Sequence, residues 1–167
     1  VWNDGSSGPR TSSTQRVRSF THEAPPGGTA VYSWTNLKSG TYLYQSGTHP
    51  AKQVQMGLYG ALKVDAAAGV AYPGKTYQAE VVLFYSEIDP ALQATPAPAN
   101  TGNYKPRYFL INGKPYTQAP NAAGLPATVP LPAGNTNQTV LIRFLNAGLK
   151  THVPTLLNSH MSLIAED

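Results

Sequence analysis

The chain has 167 residues, of which 12% are charged, with 15 glycines, 15 prolines and no cysteine. It is long enough for one substantial domain or for one and a half small ones. A sequence without cysteine excludes disulfides, thiolate zinc sites and copper centres that require a cysteine ligand. The net charge of +4 is carried by scattered residues apart from Arg10, Arg16 and Arg18, which argues against a nucleic-acid-binding stripe.

The composition is typical of an all-β extracellular protein. Charged residues are few, and the glycines and prolines punctuate apolar runs instead of forming a low-complexity tract. No apolar run approaches the length of a membrane span, and no signal peptide is evident. We therefore expect a soluble mature piece or internal fragment that is located outside the cytoplasm, at the cell surface or in a periplasm.

The first half predicts short strands separated by turns. Residues 14–22 alternate, residues 30–35 are rich in β-branched and aromatic side chains, and residues 57–65 read as a closing strand. The predicted core of this half contains Leu58 together with either Leu43 or the pair Tyr42 and Tyr44, because neighbouring side chains on a strand point to opposite faces. The small residues and the Pro-Gly turn of residues 67–76 predict a linker.

The second half begins with an apolar strand over residues 77–85, whose unbroken run predicts burial on both faces. A short helical turn is expected over residues 90–94, and Asn112-Gly113 predicts a tight reversal. Residues 140–144 alternate, and a last strand pair is expected over residues 152–167. The predicted core of this half is Val82, Phe84, Ile142 and Phe144.

The stretch GTYLYQSGTHPAKQVQMGLYGALKV, residues 40–64, carries the clearest motif. It resembles the end of the first cupredoxin domain of multicopper oxidases, which reads roughly G-T-[FY]-x-Y-H-S-H, a loop, a glutamine and G-L-Y-G-x-[LI]-x-V. The I-N-G turn at residues 111–113 and residues 134–148 resemble elements of the second domain. The resemblance implies a cupredoxin-like Greek-key β-sandwich, with the end of one domain in residues 1–66 and an incomplete second domain in residues 77–167.

The two histidines of the family's motif coincide here with Gln45 and Gly47. An amide oxygen is a poor copper ligand and glycine offers no side chain, so this strand can no longer bind a metal through two alternate side chains. His49, two residues further on, is the remaining candidate metal ligand, and its alternative role is that of a polar loop residue before Pro50. We expect no cofactor in this chain, although copper is the cofactor of the family it resembles.

The remaining histidines and carboxylates favour structural roles over catalytic ones. His22, His152 and His160 lack the spacing of a strand or helix metal pair, so a structural role is favoured over a ligand role for each. Glu87 and Asp89 are close in sequence and are interpreted as loop charges rather than an acid and base pair. Ser46 lacks the nucleophile elbow that a catalytic serine would have. The tyrosines are expected to cover a sandwich face, or else to form a carbohydrate or partner surface, notably Tyr42, Tyr44 and Tyr59.

Two functions fit these observations. The chain is expected to be a segment of a secreted multicopper-oxidase-like protein without its own copper site, acting as a structural or binding module. The alternative is a part of an active copper-dependent oxidase whose ligands lie mostly outside this chain, and the sequence leaves open whether enzymatic activity exists. An incomplete sandwich would leave open strand edges, which predicts self-association or a partner chain and an unstable free monomer.

Overall fold

The chain is β-rich. The computed structural model describes residues 24, 26–32, 34, 36–47, 49–94, 101–115 and 134–166, and these contain eight strands, two short α-helices and one 3₁₀ turn. The strands are β1 (Gly40–Gln45), β2 (Tyr59–Val64), β3 (Val70–Tyr72), β4 (Lys75–Thr76), β5 (Ala79–Ile88), β6 (Tyr108–Ile111), β7 (Lys114–Pro115) and β8 (Val140–Asn146). The helices are α1 (Pro50–Gln53) and α2 (Pro90–Gln93), and the 3₁₀ turn is Thr101–Asn103.

Most of the predicted strands are present. The strand predicted over residues 57–65 is β2, the apolar run begins β5, and the alternating segment near residue 140 is β8; the short helical turn is α2. Two predicted strands are wrong where they can be seen: residues 30–32 and 34 form no strand, and neither do residues 152–166. The alternating segment at residues 14–22 lies outside the part of the chain that the structure describes.

The strands form three sheets. β1 and β2 pair antiparallel, β3 and β4 form a small hairpin within the predicted linker of residues 67–76, and the largest sheet has the order β7-β6-β5-β8. β5 is its centre, because it pairs antiparallel with β6 and parallel with β8. The apolar, β-branched run of β5 suits a central strand that has a neighbour on each side.

The Asn-Gly reversal joins β6 to β7 as predicted. Asn112 and Gly113 both have positive φ, at 52° and 75°, which is the conformation that a two-residue hairpin turn needs and that asparagine and glycine tolerate. The Asn112 side chain also accepts from Phe84 N and donates to Val82 O, both at 2.9 Å. The turn thereby ties the end of the β6-β7 hairpin to β5.

In the β1-β2 hairpin, Tyr44 lies opposite Gly60. A β-carbon at residue 60 would lie only 2.2 Å from the Tyr44 ring, so glycine is needed there for the ring to cross the neighbouring strand. Tyr44 is 51% exposed and Leu58 is 54% exposed. The prediction that Leu58 is in the core is therefore wrong, and so is the alternative that placed Tyr44 there. Tyr42 and Leu43 are half-buried and line an apolar cavity of about 240 Å³ with Trp34, Leu37, Tyr44 and Leu62.

The largest sheet has two unlike faces. Register places Leu110, Ser86, Arg143 and Leu145 on one face, which we call the inner face, and all four are buried. The opposite, outer face carries six apolar residues that are half-buried or exposed: Val81, Leu83, Phe109, Ile111, Ile142 and Phe144.

The predicted core of the second half was therefore wrong for β8. Phe144 is 40% exposed whereas Leu145 is buried, because a shift of one residue along a strand exchanges the two faces. Val82 and Phe84 lie on the inner face but are only half-buried, so β5 is not buried on both faces as its apolar run suggested.

A buried arginine occupies the inner face. Arg143 is 2% exposed at its side chain, and its Nε donates to Glu80 Oε1 at 2.7 Å while its Nη1 donates to Thr41 Oγ1 at 2.8 Å. Its Nη2 forms an ion pair with Asp65, and Lys63 forms another with Glu80. These five residues form the Arg143 cluster, which joins β1, the end of β2, β5 and β8. The predicted boundary between the two halves is thus bridged by ion pairs.

The remaining polar atoms of this cluster are satisfied as well. Tyr77 donates to Asp65 Oδ2 at 2.7 Å. Burial acts to raise the pKa of Asp65, but the Tyr77 hydroxyl and the Arg143 charge outweigh it, so the pKa lies below its usual value. The pKa of Glu80 is also lowered, because Lys63 and Arg143 together outweigh its burial. Both carboxyl groups are therefore held ionised by charged partners.

No helix within the described ranges is long and apolar enough to cross a membrane.

Candidate functional site

The strand on which the family resemblance places copper ligands ends at an ordinary loop. Gln45 is exposed at the last position of β1, Gly47 follows in a bend, and His49 is exposed at the residue before α1. Ser46 Oγ and His49 N both donate to Gln53 Oε1. The polar groups of this loop therefore bind one another and shape the turn into α1, whose first position is Pro50, a residue well suited to begin a helix.

This donor set does not fit a copper centre. It comprises one amide side chain, one residue without a side chain and one imidazole, and a histidine-based copper site needs several imidazole nitrogens. Across the ranges that the structure describes, no group of three or more His, Asp or Glu residues is placed to hold a metal ion. No reaction step through copper can be built from these residues, and His49 stays a predicted ligand without partners.

Gln55, which the motif places before the G-L-Y-G sequence, has a structural role that the sequence did not suggest. It is buried, and its Nε2 donates to Ala147 O at 3.2 Å, beyond the end of β8. Its own carbonyl accepts from Gln93 Nε2 of α2 at 3.2 Å, and its Oε1 lies 2.9 Å from the Tyr104 hydroxyl. This residue of the first half therefore binds three segments of the second half.

Beside Gln55 lies a buried carboxylate, Glu87, whose side chain is 0% exposed. Its Oε2 accepts from the Tyr104 hydroxyl at 2.7 Å and from Leu149 N at 3.3 Å, and its Oε1 accepts from Lys150 N at 2.9 Å. The prediction that Glu87 is a solvated loop charge is thus wrong. A buried carboxylate requires such donors, because burial without them costs several kcal/mol.

The segment after β8 approaches Glu87 closely at Gly148. A β-carbon there would lie 2.6 Å from Glu87 Oε1 and 2.7 Å from its carboxyl carbon, so only glycine allows the backbone to pass. The next two backbone N–H groups, of Leu149 and Lys150, then reach the carboxylate.

His152 completes the arrangement. Its ring stacks on Tyr85 with centroids 4.6 Å apart and 16° between the planes. Its Nε2 is buried and lies 3.6 Å from Glu87 Oε1, and it has no hydrogen-bond partner among the described residues. We call Gln55, Tyr85, Glu87, Tyr104 and His152 the Glu87 cluster.

The electrostatics of this cluster follow from burial around a negative charge. Burial, helped by the hydrogen bond to Glu87, raises the pKa of Tyr104 far above the usual value for tyrosine. Burial also raises the pKa of Tyr85. Both hydroxyls therefore remain protonated throughout the range in which proteins are ordinarily studied, and Tyr104 serves only as a donor to the carboxylate.

The other predicted site residues lie apart from this cluster or outside the described ranges. Asp89 is not a free loop charge: it caps α2 by accepting from Ala91 N at 2.9 Å and Leu92 N at 3.3 Å, and it accepts from Lys105 N at 2.7 Å. The hydrogen bond from Lys105 N is the main reason why the pKa of Asp89 is lowered. His160 is exposed, and His22 lies outside the described residues.

Comparison of the chain with protein-family models, with curated sequences and with solved structures found no match. The resemblance to multicopper oxidases therefore rests on the sequence motifs alone.

Proposed function

We propose that this chain is a segment of a secreted multicopper-oxidase-like protein that serves as a structural or binding module and has no copper site of its own. The proposed architecture is a cupredoxin-like Greek-key β-sandwich, of which the largest sheet is one layer. Gln45 and Gly47 support the loss of copper, because neither can replace an imidazole at the end of β1. An active oxidase whose ligands lie mostly outside the chain is the competing function.

The observation that carries the structural or binding role is the outer face of the largest sheet. Phe109, Ile111 and Phe144 are each at least 38% exposed on one surface, and Glu87, which register places on the same face, is buried. Exposed apolar patches of this kind are typical of protein interaction sites. Two copies of this apolar surface can bury each other, so the partner we propose is a second copy of this chain.

Self-association can be tested by sedimentation velocity over a range of concentrations. We expect the wild-type chain to associate, and the double variant Phe109→Thr with Phe144→Thr to shift toward the monomer by about tenfold in dissociation constant, since each lost apolar contact weakens the interface. Leu157→Thr is the matched control, because Leu157 is 89% exposed but lies outside the sheet. A wild-type chain that remains a well-folded monomer would contradict the proposal.

Copper binding separates the module from the oxidase. We expect metal analysis of the isolated wild-type chain, after incubation with Cu(II) and removal of the excess, to find far less than one copper per chain. The double variant Gln45→His with Gly47→His should gain copper, because it returns two imidazole ligands to the end of β1. Gly47 is not at positive φ, so a side chain there causes no backbone strain.

The control for this experiment is His49→Gln. If the wild-type chain holds about one copper, with a metal–imidazole geometry typical of proteins, and loses it in His49→Gln, the oxidase alternative is favoured and the copper-free module is refuted.

A further inference from the structure

The segment after β8 is attached to β5 through the Glu87 carboxylate, and the Nε2 of His152, which has no hydrogen-bond partner among the described residues, faces the same carboxylate. Glu87 accepts hydrogen bonds from the backbone N–H groups of Leu149 and Lys150, and these hydrogen bonds hold the segment against the sheet. His152, two residues later on the same segment, directs a buried Nε2 toward Glu87 Oε1 at 3.6 Å. This separation is slightly too long for a hydrogen bond, although the two groups would form an ion pair if the ring were charged.

We propose that protonation of His152 tightens the attachment of residues 148–152 to Glu87, so that this segment is a pH-sensitive clasp. Imidazole normally gains its proton between pH 8 and pH 5. In the charged state Nε2 must carry a hydrogen, and the anion that it faces among the described residues is the carboxylate that already binds the segment. The added attraction acts between groups on the segment and on β5, so it strengthens their contact directly.

Two effects oppose each other at the ring. Burial of Nε2 disfavours the charged form, whereas the nearby carboxylate favours it. Because the Glu87 side chain is 0% exposed, its charge is poorly screened by solvent and salt. The stacked Tyr85 ring also presents a π face to the imidazole, which favours a cation.

Among the described residues, the charged and titratable neighbours of the ring come from two elements. Glu87 and Tyr85 face it from β5, and Tyr104 reaches the far oxygen of Glu87 from the loop after the 3₁₀ turn. Asp89, at the end of β5, has its oxygens occupied by the backbone of α2 and of Lys105. The tyrosines stay neutral at these pH values, so the proposed attraction is between His152 and Glu87.

The sign of the effect follows from this pairing. A protonated ring stabilises the attached segment, so the added stability is present at the low end of the imidazole range and is lost as the pH rises. Below about pH 4.5, ordinary carboxyl groups begin to take up protons, so the comparison is confined to higher pH.

Hydrogen exchange at single residues tests the clasp on the full chain. The protection of Lys150 N–H, corrected for intrinsic exchange, should be about threefold or more higher at roughly pH 5.5 than at roughly pH 7.5, since exchange reports local opening. His152→Phe keeps an aromatic ring on Tyr85 without a titrating group and should remove this dependence. His160→Gln, which changes an exposed histidine beyond the segment, should keep it.

Glu87→Gln provides a second test, because it removes the anion while preserving shape. It should also abolish the pH dependence at Lys150, while the amide of Ala147, which donates to Tyr85 O at 3.0 Å, serves as an internal reference for the fold at the end of β8. If Glu87→Gln does not fold, His152→Phe alone decides. Equal protection at both pH values in the wild type, or an undiminished ratio in His152→Phe, would overturn the proposal.

Discussion

Two buried polar clusters connect the halves of this protein, and they compensate charge in different ways. In the Arg143 cluster each carboxylate meets a cation, since Asp65 and Glu80 share Arg143 and Lys63 binds Glu80 as well. In the Glu87 cluster the carboxylate is held by neutral donors, namely a tyrosine hydroxyl and two backbone N–H groups. The first arrangement is stabilised by ion pairs. The second depends on backbone N–H groups and leaves the Nε2 of His152 without a hydrogen-bond partner among the described residues.

The difference indicates what each cluster does. A saturated set of ion pairs specifies which strands come together and responds little to conditions near neutral pH. A carboxylate with only neutral partners remains available to a cation, and His152 is placed to supply one. The Arg143 cluster and the Glu87 cluster, for which we propose a response to pH, thus lie on opposite faces of the same sheet.

The largest effect on this comparison is expected from Arg143→Met. Removing the buried guanidinium leaves the half-buried Glu80 and Asp65 with fewer partners, so the free energy of unfolding should fall by about 3 kcal/mol, the lower end of the usual result of breaking a buried ion pair. Urea unfolding followed by circular dichroism measures this change.

Lys63→Met is the matched control for Arg143→Met. It removes a cation from the same cluster, but Lys63 is 47% exposed and should contribute less than about 1 kcal/mol, as surface ion pairs do. Equal losses for the two variants would show that burial does not distinguish these cations.

An intermediate effect is expected from Tyr104→Phe in the Glu87 cluster. The change removes the 2.7 Å bond to Glu87 and the 2.9 Å contact with Gln55, and a lost bond to a buried charged group costs about 1.5–3 kcal/mol. The same unfolding measurement applies, with Tyr108→Phe as control because Tyr108 is 52% exposed. A loss no larger than that of the control would mean that water replaces the hydroxyl.

The smallest effect is expected on folding stability when the pH is lowered. Asp65 and Glu80 have lowered pKa values in the folded chain, so their contribution to stability is present above the pKa of the unfolded chain, near 4, and is lost as the pH falls through the folded value. Unfolding midpoints measured from about pH 6 down to about pH 3 should decline, and less steeply in Arg143→Met. An unchanged slope in that variant would separate the acid response from Arg143.

The β-rich class, the Asn-Gly hairpin and five of the strands could be predicted from the sequence. β1, β2, β5, β6 and β8 follow from local signals, since alternation, β-branched residues and turn dipeptides act over a few neighbouring residues. The lack of a copper donor set at Gln45 and Gly47 likewise follows from residue identity, because a missing imidazole cannot be restored by folding.

Which face of a strand is buried was decided by the tertiary structure alone. Arg143 and Leu145 point inward and Phe144 outward because Asp65, Glu80 and Thr41 come from distant parts of the chain to pair with the guanidinium. The roles of Gln55, Glu87 and Tyr104 were missed for the same reason. Gly148 and the glutamate within an apolar strand were the available signals, but burial of a polar side chain becomes favourable only where its partners meet, and contacts across 17 or more residues leave no local pattern.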